Sequence, residues 1–201
     1  MRIGFACILA AAAAATMSDT DVLSFLERMR TTPGQLYANI EPAEGEYLRN
    51  LIRQAKARNA LEIGTSTGYS GMWIALGLRE TGGRLVTLEI DKARYATATA
   101  NFRATGLASL IDARLGDALV ETPKVAGPLD FVFIDAHKPD YLRYYELVLP
   151  KMRKGGVIAA HNVTSHPGPM RDFLDRIAND PRVKTEIVNP GQQGFSVSWV
   201  R

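Results

Sequence analysis

The chain has 201 residues, 46% apolar and 22% charged, which is close to globular averages and unlike a disordered or fibrous protein. That length fits one domain of ordinary size with room for a substantial core. A net charge of +3 and a pI near 9.1 are mild and evenly spread, which argues against a nucleic-acid surface; the single cysteine, Cys7, excludes an intrachain disulfide.

Residues 1–16 stand apart. A basic start at Met1-Arg2, a short apolar stretch from Ile3 to Leu9 and an alanine run from Ala10 to Ala15 have the composition of a secretory signal peptide. The stretch is too short for a stable membrane span. Met17-Ser-Asp-Thr-Asp-Val also reads as an ordinary start with a capped first helix. Either way, residues 17–201 form the expected domain, and 1–16 are a leader or a mis-assigned start.

Beyond Met17, apolar residues at helical spacing predict helices over 19–30 and 42–57, separated by the Pro33-Gly34 break, with Pro42 in a first helical turn. A strand follows over 59–63, a helix from Tyr69 to Leu78, and a strand from Arg84 to Glu89. Next come a helix from Lys92 to Ala104, a strand from Ile111 to Leu115, and the apolar run Leu129-Asp-Phe-Val-Phe-Ile134, which suits a buried parallel strand. A helix over 139–149, a strand over 156–160 and a helix over 170–178 lead to a closing antiparallel hairpin, 183–188 with 195–200. Alternating strands and helices define an α/β fold: a doubly wound, mostly parallel seven-stranded sheet of Rossmann-like type with N-terminal helices. Ligands of such sheets sit at the carboxyl ends of the strands. Glu62, Glu89, Asp117, Asp135 and His161-Asn162 all fall at such ends.

The turn after the first strand reads Gly64-x-x-x-Gly68-x-x-Gly71. This is not the close-set glycine pattern of a pyrophosphate site, and no Gly-Lys-Ser/Thr follows as in a P-loop. Glu62 would repel a pyrophosphate and suit a cationic ligand. Glu89, at the next strand end, is placed to accept both ribose hydroxyl protons of a nucleoside. S-adenosylmethionine, with a sulfonium, an ammonium, a ribose and no phosphate, meets these demands.

Glu62-Ile-Gly-Thr-Ser-Thr-Gly-Tyr-Ser70, Leu88-Glu-Ile-Asp91, Gly116-Asp-Ala118 and Phe133-Ile-Asp-Ala-His-Lys138 resemble, in order, the catechol and caffeoyl-CoA type O-methyltransferases and their small bacterial relatives. The resemblance covers residues 33–200. It implies an S-adenosylmethionine site in which Glu89 binds the ribose, Gly64, Thr65 and Ser70 contact the methionine part, and Asp117 and Ala118 flank the adenine. Glu62 and Gly68 complete the expected cofactor site, with Ile40 as a cap. Asp135 would face the methionine ammonium and also bind a divalent metal; Lys138 would be the general base. A free lysine and a phenol both titrate near pH 10, so such a base needs its pKa lowered by burial or by a nearby cation.

One position departs from that family. Its metal-dependent members carry an Asp-Asn pair at the end of the fifth strand, whereas this chain reads Ile158-Ala-Ala-His-Asn-Val163. Asp135, His161 and Asn162 could hold Mn²⁺ or Zn²⁺, which suit imidazole, or Mg²⁺ weakly. The site could equally be metal-free, with His161 or Lys138 as base. His137 and His166 lie near enough in sequence to add ligands.

The expected reaction is methyl transfer to a hydroxyl of a small, catechol-like aromatic acceptor. The alternatives are a metal-independent enzyme acting on another oxygen or nitrogen, or a non-catalytic adenosyl-ligand binder. Arg49, Arg53, Lys56 and Arg58 along the second helix read as a solvated face or as a landing site for an anionic coenzyme A ester. Tyr141, Tyr144 and Tyr145 read as core or dimer packing, and Trp73 as core. Phe195, Val197 and Trp199 form the buried face of a last strand whose serines face outward. The partners expected are a small acceptor and a second copy of the chain, with neither nucleic acid nor membrane. The cytosol, where the cofactor is made, is the expected location, with export as the alternative if 1–16 act as a signal.

Overall fold

The computed structural model describes residues 17–33 and 40–201; the leader over 1–16 and Gly34 of the predicted break lie outside them. Helices α1 (Asp19–Thr31) and α2 (Pro42–Ala55) precede β1 (Asn59–Ile63), α3 (Tyr69–Thr81), β2 (Arg84–Glu89), α4 (Lys92–Ala104) and β3 (Ile111–Leu115). Then come α5 (Ala118–Glu121), β4 (Leu129–Ile134), α6 (Tyr141–Val148), β5 (Met152–His161), α7 (Arg171–Asn179), β6 (Val183–Val188) and β7 (Phe195–Val200). The strands form one seven-stranded sheet in the order β3-β2-β1-β4-β5-β7-β6, parallel except where β7 runs antiparallel to β5 and β6. Among the described residues, no helix is long and apolar enough to cross a membrane.

The central strands are apolar on both faces because each face has its own core. Ala60, Phe131, Phe133, Val157 and Ala159 point to the side packed by α1 to α4. Leu61, Ile63, Val132, Ile134, Ile158 and Ala160 point to the side packed by α6 and α7. The period of two along each strand therefore divides residues between two hydrophobic layers rather than between core and water. Full burial of a ring such as Phe131 or Phe133 contributes about 1.5–3 kcal/mol.

The sequence expectation differs from the structure in several places. β5 begins at Met152 rather than 156, because a register shift between Leu129 and Phe131 of its partner β4 absorbs Arg153 to Gly156. The short helix α5 carries too little periodicity to be seen in sequence. Ser196 and Ser198 are as buried as their apolar neighbours, and Ser198 pairs its hydroxyl with Thr185 at 2.8 Å. Arg49 does not lie on a solvated face. It is nearly buried and ion-paired to Asp19 of α1 and to Glu80 of α3, and Arg53 also meets Glu80, at 2.6 Å. These arginines fasten three helices together.

Candidate active site

All the parallel strands deliver their carboxyl ends to one edge of the sheet, where a cavity of about 700 Å³ opens. Its wall includes Gly64, Ser66 and Ser70 from the turn after β1, Glu89 after β2, Asp117 and Ala118 after β3, and Asp135 and Lys138 after β4. Tyr144 of α6 and His161 and Asn162 at the end of β5 also line it.

The turn after β1 is shaped by glycine. Gly64 has φ +99°, and a Cβ there would sit 2.1 Å from the Asp135 carbonyl oxygen, so the two strand ends meet at a spacing only glycine allows. Gly68, at φ +89°, N-caps α3 against the Phe102 ring. The loop thus held donates the Ser66 amide to Glu89 Oε2 at 2.7 Å, and the Ile90 and Asp91 amides reach Oε1 at 3.1 and 3.0 Å. Three backbone donors fix this carboxylate at the cavity wall.

Glu62 behaves differently from the expectation. It is fully buried beneath the wall, and its oxygens accept from the Ser70 and Thr87 hydroxyls at 2.6 Å each. Burial outweighs those hydrogen bonds and, with the nearby Asp135 and Glu89 charges, pushes its pKa up to about 7. Glu62 therefore braces the turn and does not line the cavity, and the buried Thr65 does the same by pairing its hydroxyl with Thr87 at 2.5 Å. Gly68 is likewise not among the lining residues. Ile40 is buried just ahead of α2.

The other end of the site is a relay of polar groups. Lys138 Nζ donates to Asp135 Oδ1 and to the Tyr141 hydroxyl, at 2.7 Å each. Asp135 Oδ2 lies 3.1 Å from His161 Nδ1, and His161 Nε2 lies 3.1 Å from Glu44 Oε1, close enough to attract but without a hydrogen bond between them. Burial opposes a charge on His161, but Asp135 and Glu44 outweigh it and lift its pKa to about 9. Burial likewise disfavours the ionised carboxyls of Asp135 and Glu44, and their contacts with His161 overcome it, leaving both below the usual range. Tyr141, expected as packing, is part of this relay; burial raises its phenol well above the ordinary value. Tyr144 lines the cavity, and burial pushes its phenol up to about 12.

Asp135, His161 and Asn162 come together, but not as an open set of metal ligands. Both Asp135 oxygens and His161 Nδ1 are hydrogen-bonded within the relay, His161 Nε2 has no hydrogen bond, and the Asn162 amide nitrogen donates to the Gln193 side chain. His137 instead pairs with Asp140 at 2.9 Å, and His166 with Ser165. Among the described residues, no group of three His, Cys, Asp or Glu side chains is arranged to hold a metal. Glu44 is one of the site residues that sequence reasoning missed, with Ser66, Tyr141 and Tyr144. Three residues after Glu41, it reads as half of a capping box, and nothing local reveals that it also reaches β5.

This sheet order, the glycine turn and the acids at the strand ends define a class I, S-adenosylmethionine-dependent methyltransferase fold. A sequence model described as O-methyltransferase matches residues 14–194. A catechol O-methyltransferase from Niastella koreensis is 38% identical over 152 residues, covering 73% of this chain and 66% of that protein. A caffeoyl-CoA O-methyltransferase from Zinnia elegans is 32% identical over 165 residues, 70% of this chain and 67% of that protein. The crystal structure of an O-methyltransferase from Bacillus cereus with SAH superposes with a TM-score of 0.76 at 31% identity, covering 90% of each chain. The chain belongs to the O-methyltransferase family. The matched segments span about two-thirds of the curated relatives' length.

Proposed function

We propose that this chain transfers a methyl group from S-adenosylmethionine to a hydroxyl of a small, catechol-like aromatic acceptor. The observation that carries the reading is one cavity walled at one end by the amide-fixed Glu89 carboxylate and at the other by the Lys138–Asp135–Tyr141 group. The residues fit this donor. Glu89 accepts from ribose hydroxyls, the backbone at Gly64 approaches without a side chain, Ala118 and Asp117 flank the base, and Asp135 meets the ammonium. When bound, the donor supplies an electrophilic methyl group. The protein then has to hold an acceptor oxygen in line with that methyl and to remove its proton. Lys138 stands where it can take that proton, and Asp135 and Tyr141 fix where its nitrogen points. Lining residues such as the half-buried Ala136 and the exposed His137 leave the acceptor side open to the surface. The cytosol, where the donor is made, is the setting we infer, with the chain as a homodimer.

Calorimetry of S-adenosylmethionine binding, together with methylation of catechol, tests this. Lys138→Met is expected to lose about 10²–10⁴-fold in kcat with donor affinity intact. Glu89→Ala is expected to lose donor affinity by about 10–100-fold, as loss of charge-assisted hydrogen bonds implies. Full activity in Lys138→Met would refute the assignment of the base.

A further inference from the structure

The Ser66 peptide is held in a conformation it would not choose. Its φ is +50°, in the left-handed region that a residue with a Cβ enters only against a steric penalty. That conformation aims the Ser66 amide at Glu89 Oε2, 2.7 Å away. The turn is clamped on both sides of this peptide. Before it, the Gly64 and Thr65 amides donate to the Leu88 carbonyl at 3.0 and 3.2 Å. After it, the Thr67 carbonyl accepts from Asn101 Nδ2 of α4 at 2.9 Å, and both residues are buried. Phe102, the next residue of α4, lies so close to Gly68 that a Cβ there would come within 2.6 Å of its ring. Helix α4 itself starts beside Glu89: its N-cap is Asp91, which accepts from the Arg94 amide at 2.8 Å. One helix therefore begins next to the carboxylate and, about three turns on, grips the turn whose amide aims that carboxylate.

We propose that Asn101 is a positioning residue for the methyl donor: by holding the Thr67 carbonyl it keeps Ser66 in the left-handed conformation, and so keeps Glu89 aimed at the ribose before the donor arrives. This rests on the methyltransferase reading. Asn101 is not among the residues lining the cavity and acts through the turn. Without its amide, the buried Thr67 carbonyl loses a partner and Ser66 can relax toward negative φ, which swings its amide off Glu89. The donor then binds only the fraction of chains still in the strained form, and its apparent affinity falls by that fraction.

The test uses the full chain and calorimetry with S-adenosylmethionine, alongside hydrogen exchange of the Ser66 amide in the ligand-free protein. Asn101→Ala is expected to weaken donor binding about tenfold, as loss of one buried hydrogen bond implies, and to quicken exchange of the Ser66 amide. Ser66→Gly tells a positioning role from a packing one, because glycine takes a positive φ about as readily as a negative one. In the Ser66→Gly background, Asn101→Ala is expected to weaken binding by about threefold or less. A residue that merely packs α4 would cause the same loss in both backgrounds. Asn101→Asp, of similar size and without the amide donor, takes the place of Asn101→Ala if that chain does not fold. Equal donor affinity with and without the Asn101 amide, or an equal loss in both backgrounds, would overturn the proposal. Failure of the methyltransferase reading shows differently, as no donor binding by the wild-type chain, and the exchange measurement, which needs no donor, still reports whether Asn101 holds the Ser66 peptide.

Discussion

Raising the pH should unfasten His161, and the size of the effect follows from its surroundings. The folded protein holds the imidazole proton to about pH 9, against an ordinary value of 6.5. At about 1.4 kcal/mol per tenfold, that difference corresponds to roughly 3 kcal/mol of stability. Below pH 6.5 folded and unfolded chains are both protonated, and the contribution is complete. Between 6.5 and about 9 only the unfolded chain gives up the proton, so stability falls as pH rises, and above that window the contribution is gone. Urea unfolding followed by tryptophan fluorescence across the window measures the fall. His161→Asn supplies the comparison. It starts lower by about 3–5 kcal/mol, because Glu44 and Asp135 lose their buried cation, and it has no imidazole proton to lose. The two unfolding free energies should converge as pH approaches 9. Curves that fall in parallel would show that the proton on His161 does not hold this cluster together.

Two further substitutions separate the wall of the cavity from what lies beneath it. Gly64→Ala combines a left-handed backbone with a Cβ driven against the Asp135 carbonyl. Thermal denaturation should show a loss of about 2–5 kcal/mol, and calorimetry should show no S-adenosylmethionine binding. Glu62→Gln should do the reverse. Because burial raises the Glu62 pKa from 4.5 to about 7, its ionised form costs stability as pH rises through that range. A neutral amide escapes this cost, by up to roughly 3 kcal/mol above pH 7 in urea unfolding. Donor affinity in Glu62→Gln should stay unchanged, and a marked loss would place Glu62 in contact with the ligand after all.

β4 was legible because a buried parallel strand writes its length as a nearly continuous apolar run, and the closing hairpin because its two strands flank the turn around Pro190-Gly191; β1, β2, β3, β4, β6 and β7 all begin and end where the residues predict. β5 was read short because its first half is a basic, glycine-bearing segment whose pairing depends on an irregularity in another strand. The carboxyl-end acids located the cavity, since topology alone collects those ends. What the sequence could not carry was the direction of each side chain at that edge. Glu62 and Glu89 look alike as strand-end acids, yet one turns inward to two hydroxyls and the other to the cavity wall. The contact of His161 with Glu44 could not be read in the sequence because Glu44 lies on a helix far away in the chain. Tyr141 looked like packing because helical spacing reports which face a residue occupies and not what its hydroxyl reaches.

Glu44 has two employments. One oxygen closes the first turn of α2 through the Glu41 amide, and the other faces the imidazole at the end of β5. Opening that helical turn and releasing that imidazole are therefore a single event. The Glu41 amide proton, well outside the cavity, becomes a reporter of it: its exchange with solvent should quicken whenever the distant ring loses its charge. Nor can residue 44 drift freely under mutation, since a replacement that preserves the helix start but not the charge leaves the site altered, and one that preserves the charge but not the reach frays the helix.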